Sequence, residues 1–112
     1  MMTPTLGRIL AYKLTAYDAE TINKRRSDLA FSGFAHESTG AQCHTGNGVS
    51  EGDVYPMIVT RVWAPMPGGS VNGQLLLDGN DTLWVTSRTE QVDDETGEPD
   101  KGFWAPFPRV EG

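Results

Sequence analysis

The chain has 112 residues, one cysteine and a formal net charge of −6. This length suits a single domain over residues 1–112, and the lone cysteine excludes an internal disulfide framework. Residues 1–50 carry five basic and four acidic side chains, whereas residues 51–112 carry four basic and eleven acidic ones. This acidity disfavours nucleic acid as a partner. The chain has no long apolar run, so we expect neither a signal peptide nor a membrane-spanning segment.

The first predicted strand covers residues 6–15. Its alternating pattern predicts one buried face, formed by Leu10, Tyr12 and Leu14. Thr15 and Asp18 then match the start of a helix, where a capping hydroxyl is followed three residues later by an acid. We therefore predict one short helix from about residue 16 to residue 27, packed over one end of the sheet.

The middle of the chain alternates between loops and strands. Residues 27–40 are small and polar and predict a flexible loop, followed by a short strand at 41–45 and a turn at 46–48. The strongest strand, residues 54–63, is apolar on both faces, so we expect it to be central or covered on both sides. Pro56 should restrict pairing near the beginning of that strand.

Residues 71–87 predict a β-hairpin, and the length of its loop decides which side chains share a face. A two-residue loop gives two mixed faces. A three-residue loop at 79–81 places most of the apolar side chains on one face and the polar ones on the other. We therefore predict a three-residue loop, with Asn80 or Asp81 in the left-handed conformation. One face then contains Val71, Leu75, Leu77, Leu83 and Val85. The other contains Asn72, Gln74, Thr82 and Thr86, with Leu76 directly opposite Trp84.

Leu76 and Trp84 would form an apolar patch on the otherwise polar face of this hairpin. Either a neighbouring segment of the chain or a partner must cover such a patch. We predict that Leu76, Trp84 and Trp63 form a partner-binding surface, because aromatic anchors inside a polar rim carry most of the binding energy at interfaces. The acids at 90–100 would lie on its rim.

The remaining elements complete a mainly β prediction. We expect a flexible loop at 88–101, a short strand at 102–104 and an extended tail at 105–112. Five to six short strands, one helix in the N-terminal half and turn-rich joins predict a small antiparallel barrel of SH3-like type. A split β-sandwich is the alternative.

Candidate catalytic and metal-binding residues are few. Cys43 and His44 are adjacent, and neighbours on a strand point to opposite faces; only His36 could join them. The acids at 90–100 do not have the spacing of a calcium-binding loop. The sequence contains none of the common phosphate-cradle, serine-elbow or zinc-protease motifs. We therefore expect no metal, no cofactor and no enzymatic activity.

An alternative set of basic residues could contact the phosphates of a nucleic acid: Arg8, Lys24, Arg25 and Arg26. Three of these lie at the end of the predicted helix. Bases in that position complement the helix dipole and stay solvated, which is the interpretation that we favour.

Five stretches that run across nearly the whole chain are GRILAYKLT (7–15), DAETINKRR (18–26), GDVYPMIVTRVW (52–63), the hairpin (71–87) and FWAPFPRV (103–110). In these stretches the chain resembles a family of small uncharacterised proteins of tailed phages and prophages in actinobacteria and other bacteria. The resemblance implies a phage origin and a place in the cytoplasm of the bacterial host. It carries over no catalytic residues.

These observations predict a non-catalytic phage accessory protein that acts as a small protein-binding module, with a host or viral partner or with itself in a homo-oligomer. A nucleic-acid-associated protein and a small virion or assembly component are the alternatives. We expect no membrane partner.

Overall fold

The structure is a computed structural model that describes residues 1–31 and 48–107. Its elements in chain order are β1 (Ile9–Lys13), α1 (Ala16–Phe31), β2 (Val54–Val62), β3 (Val71–Leu76), β4 (Thr82–Arg88) and β5 (Trp104–Ala105). The strands form one antiparallel sheet in the order β4-β3-β2-β1-β5. Within residues 1–31 and 48–107, the prediction of a mainly β antiparallel fold with one helix is confirmed.

Several predictions fall on residues outside the described ranges. They concern the strand at 41–45, most of the turn at 46–48, the candidate residues His36, Cys43 and His44, and the tail beyond Phe107. The loop predicted at 27–40 is described only for its first residues, which belong to α1.

Strand β2 is the centre of the sheet and pairs with both β1 and β3. Met57 and Val59 are buried on one of its faces, while Ile58 on the other face is only partly buried. Pro56 lies opposite Ala11 of β1, and the pairing of β2 with β3 begins at Met57. The missing N–H of proline therefore falls outside the β2–β3 ladder. The predicted central strand and the restriction at Pro56 are both confirmed.

The face of the sheet that carries the core is called the inner face. Leu10, Met57 and Leu75 lie side by side across β1, β2 and β3 and are fully buried. Helix α1 joins this core through Ala19 and Ile22. The cluster also contains Tyr12, Leu14, Val49, Val59, Val71, Leu77, Val85 and Trp104. The predicted core face of β1 is confirmed, and burial of these apolar side chains is the main source of stability.

Helix α1 begins with the predicted capping box. The Asp18 N–H donates to Thr15 Oγ1 over 3.0 Å, and the Thr15 N–H donates to Asp18 Oδ2 over 3.1 Å. The Tyr12 hydroxyl donates to the same carboxylate over 2.7 Å, which ties the helix start to β1. The helix runs to Phe31, beyond the predicted end at residue 27.

The Tyr12 hydroxyl gives a prediction about alkaline pH. Burial, reinforced by the hydrogen bond to Asp18, raises the pKa of Tyr12 well above its ordinary value. A pKa raised by folding contributes stability that is complete below the unfolded pKa of about 10 and is lost as the pH rises beyond it. We expect the free energy of unfolding to fall above about pH 10, and Tyr12→Phe to flatten that fall in urea titrations. Tyr17→Phe, at an exposed site, is the control; equal slopes in all three proteins would contradict the prediction.

The sheet is open in the described residues, so the predicted closed SH3-like barrel is not confirmed. Strands β4 and β5 form its two edges. One isolated bridge, Glu90 to Trp104, connects the segment after β4 to β5. Strand β5 has only two residues, so it offers too few backbone groups to close a barrel. A split sandwich is not formed either, because the described strands make one sheet.

The β3–β4 hairpin has the predicted faces but a different register. Leu75 lies opposite Leu83, and Gln74 lies opposite Trp84. The loop therefore covers five residues, 77–81, rather than three. This register differs from the predicted one by two residues, so each side chain keeps its face. The direct opposition of Leu76 and Trp84 is wrong: Leu76 faces Thr82.

The loop conformation also differs from the prediction, because neither Asn80 nor Asp81 has a positive φ. Among the described non-glycine residues, it is Ser87, near the end of β4, that has a positive φ, at 54°. Asp81 is held instead by Arg25 and Arg26 of α1, which bind its carboxylate. A loop docked on the helix in this way does not need the tight turn of an isolated hairpin.

Candidate protein-binding face

The side of the sheet opposite the core is called the outer face. Its first row crosses four strands and consists of Ile9, Ile58, Gln74 and Trp84, each directly opposite the next. Residues opposite each other in an antiparallel pair point to the same side. Trp84 is 57% exposed, Ile9 is about half exposed, and Ile58 is partly buried. This row carries no charge.

A second uncharged row lies beside the first. Ala11 faces Pro56, and Leu76 faces Thr82. Pro56 precedes Met57, which pairs with Leu75, so Pro56 and Leu76 are also neighbours across the β2–β3 junction. Leu76 is 37% exposed. Ala11 is buried, and the other apolar residues of the two rows, which are exposed or partly buried, form what we call the outer patch: Ile9, Pro56, Ile58, Leu76 and Trp84.

Trp63 lies beyond one end of the outer patch. A register shift in the β2–β3 pairing places Arg61 opposite Asn72. Trp63 Nε1 donates to Asn72 Oδ1 over 2.8 Å, and the Ser87 N–H donates to the same oxygen over 2.8 Å. The Arg61 guanidinium lies 3.9 Å from the centroid of the Trp63 ring. These contacts hold Trp63, which is 51% exposed, on the outer face with a cation above it.

The opposite end of the outer face is acidic. In the loop 93–98, the Asp93 N–H donates to Glu98 O and the Gly97 N–H donates to Asp93 O, each over 2.8 Å. Glu98 pairs with Lys13 of β1 at 3.1 Å. A cavity of about 180 Å³ lies where this loop meets Ala11 and Val54. The predicted acidic loop thus lies beside the outer face, with internal hydrogen bonds that define its shape.

The three residues predicted to bind a partner lie on one face. Trp63, Leu76 and Trp84 all belong to the outer face and are all substantially exposed. Three further residues of this surface, Ile9, Pro56 and Ile58, were not predicted from the sequence. The signal for them was present, because Ile9 lies on the non-core side of β1 and the apolar character of β2 extends to both faces.

The basic residues of the alternative nucleic-acid site are not gathered on one surface. Arg26 Nε and Nη2 donate to the two oxygens of Asp81 over 3.1 and 2.9 Å, and Arg25 donates to Asp81 and to Thr82 O. Arg8 directly precedes β1, and its carbonyl accepts a hydrogen bond from the Val59 N–H of β2. In the sheet, β1 lies three strands away from β4, which contains Thr82. The arrangement therefore differs from a continuous positive patch.

The predicted solvation of the helix bases is wrong for Arg26. The helix continues past these bases, so they do not form its last turn, and the Arg26 side chain is buried. The hydrogen bond from Arg26 lowers the pKa of the Asp81 carboxyl, and the same bond raises the pKa of Arg26. Lys24 is different: its Nζ lies 3.6 Å from Asp28 in an exposed pair.

Comparisons of the chain with protein-family models, curated proteins and solved structures found no match. Across residues 1–31 and 48–107, no three His, Cys, Asp or Glu side chains are grouped so that they could hold a metal ion. No helix in the described part of the chain is long and apolar enough to span a membrane. The candidate site is therefore defined by the geometry of the outer face.

Proposed function

We propose that this chain is a small non-catalytic protein-binding module that docks on its partner through the outer patch. The observation that carries the proposal is a continuous, uncharged apolar surface with an exposed tryptophan at its edge. Exposed apolar patches inside a polar rim typically mark protein interaction sites. Trp84 is the expected anchor, because interface energy concentrates in a few large aromatic side chains.

The setting of this function follows from the sequence resemblance to proteins of tailed phages and prophages. We propose a phage accessory protein that meets a host or viral partner in the bacterial cytoplasm. A small virion or assembly component would use the same face, and its presence in purified particles would separate the two versions.

Two observations support a binding role over other activities. Gln74, Thr82 and Thr86, which adjoin the apolar residues of the outer patch on β3 and β4, are polar but uncharged. The guanidinium groups of Arg25 and Arg26 are turned toward Asp81, which leaves a nucleic-acid role with less support.

Trp84→Ala is expected to weaken capture of the partner by about 10- to 30-fold, because a buried aromatic anchor contributes most at an interface. The measurement is an affinity pull-down from infected host lysate, followed by titration of the captured partner. Leu76→Asp should reduce capture as well, since it would bury a charge in the same contact.

Tyr17→Ala is the matched control, because Tyr17 is an exposed aromatic residue on α1, away from the outer face. It should leave capture unchanged. Circular dichroism and urea denaturation must show that all variants are folded. Equal capture by the wild type and by Trp84→Ala would place the interface elsewhere and refute the proposal.

A further inference from the structure

We infer that the occupant of the outer patch is a second copy of this chain. The two copies form a two-fold dimer in which the outer faces pack against each other, so that each end of one sheet lies over the opposite end of the other. This inference rests on the proposed function, because it uses the same face and names the partner.

The distribution of charge restricts where two copies can meet. Each chain carries a net charge of −6, so two copies repel each other over most of their surfaces. The outer patch and its neighbours Gln74, Thr82 and Thr86 are uncharged. Two copies can therefore bury this region without removing an ionised side chain from water.

The two ends of the outer face are complementary to each other. Arg61 lies at one end, over Trp63, and no described carboxylate forms an ion pair with it. Asp94 and Glu95 lie at the tip of the loop 93–98, at the other end, and are exposed. A two-fold axis parallel to the sheets and perpendicular to the strands places Arg61 of each copy over the acidic end of the other.

The size of the face sets the strength of the expected dimer. Four strands about 4.8 Å apart, each covering about 20 Å, offer roughly 300–400 Å² from each copy. This is below the ~800 Å² per partner of a standard stable interface. We therefore expect a weak, concentration-dependent dimer with a dissociation constant of about 1–100 µM.

Sedimentation equilibrium from about 1 µM to 1 mM tests this dimer at physiological ionic strength, where the long-range repulsion between two chains of net charge −6 is largely screened but close charge pairs still interact. The wild type should pass from monomer to dimer mass. The R61E chain and the D94K/E95K chain should each dimerise about 10-fold more weakly, because each places like charges at both contacts. An equimolar mixture of the two should regain the wild-type constant, because both contacts in the heterodimer then join opposite charges.

The control for net charge is Lys24→Glu, which makes the same charge change as R61E on α1, away from the interface. It should leave the dissociation constant unchanged. A wild type that stays monomeric throughout overturns the inference, as does a mixture that fails to recover. The proposed function fails separately: it survives a monomeric wild type if Trp84→Ala still loses a captured partner, and it falls if capture is unaffected.

Discussion

Trp104→Ala is expected to lower the free energy of unfolding by about 3–5 kcal/mol. The indole of Trp104 is fully buried, and the residue pairs with Tyr12 of β1. Its Nε1 donates to Arg88 O over 3.1 Å. Truncation would leave a cavity in the core and remove the donor from that carbonyl, and each of these changes destabilises the folded state.

The backbone of Trp104 also links two parts of the sheet, through hydrogen bonds that the alanine variant retains. Its N–H donates to Thr89 O and its carbonyl accepts from the Gln91 N–H, each over 3.1 Å. The two-residue strand β5 therefore connects β1 to the segment that follows β4. Small domains have only about 5–15 kcal/mol of stability in total, so a loss of about 3–5 kcal/mol removes a large share of it.

Urea denaturation followed by circular dichroism measures the effect, and the other two tryptophans supply matched controls. Trp84→Ala removes the same side chain from an exposed position, where the cost should stay below about 1 kcal/mol. Trp63→Ala also loses the hydrogen bond to Asn72 and should cost about 1–2 kcal/mol. If all three substitutions destabilised the fold equally, the described division between a buried Trp104 and an exposed outer face would be wrong.

The sequence predicted the features of this fold that depend on local periodicity. The alternation in β1 identified Leu10, Tyr12 and Leu14 as core residues, because one side of a strand must be apolar to be buried. The spacing of Thr15 and Asp18 identified the helix start, because a capping box uses only residues close in sequence.

The hairpin register shows where periodicity stops being informative. A shift of two residues leaves every side chain on its face, so the apolar pattern fits a three-residue loop and a five-residue loop equally well. The observed register has Asp81 bound to Arg25 and Arg26. That contact joins residues more than 50 positions apart, and no local pattern reveals it.

The extent of the outer patch depends on long-range pairing in the same way. Leu76 and Trp84 could be placed together because they belong to one hairpin. Ile9 and Ile58 come next to them only when β1 pairs with β2 and β2 pairs with β3. Sequence patterns also do not show that the sheet stays open, because this depends on the number of β5 residues that pair with a neighbouring strand, and β5 has only two residues.

Asp81→Ala is expected to lower the free energy of unfolding by about 2–3 kcal/mol. Asp81 receives two hydrogen bonds from the guanidinium of Arg26, whose side chain is only 8% exposed. Removing one partner of a buried ion pair costs about 3–5 kcal/mol. The Asp81 side chain is 21% exposed, so water can replace part of what is lost and the expected value is lower. Asp28→Ala breaks the exposed pair with Lys24 and should cost less than about 0.5 kcal/mol.

The difference in the free energy of unfolding between the wild type and Asp81→Ala should depend on pH, and this dependence identifies its cause. The bond from Arg26 holds the pKa of Asp81 below its ordinary value, so the ionised carboxylate stabilises the folded state at any pH above the unfolded pKa of about 3.9. As the pH falls through the lower folded pKa, the carboxylate is protonated and this contribution is lost. Urea titrations at a series of pH values should therefore show a difference in the free energy of unfolding that is constant near neutral pH and becomes smaller below about pH 4. A gap of the same size at every pH would show that Asp81 acts through the shape of the loop and not through its charge.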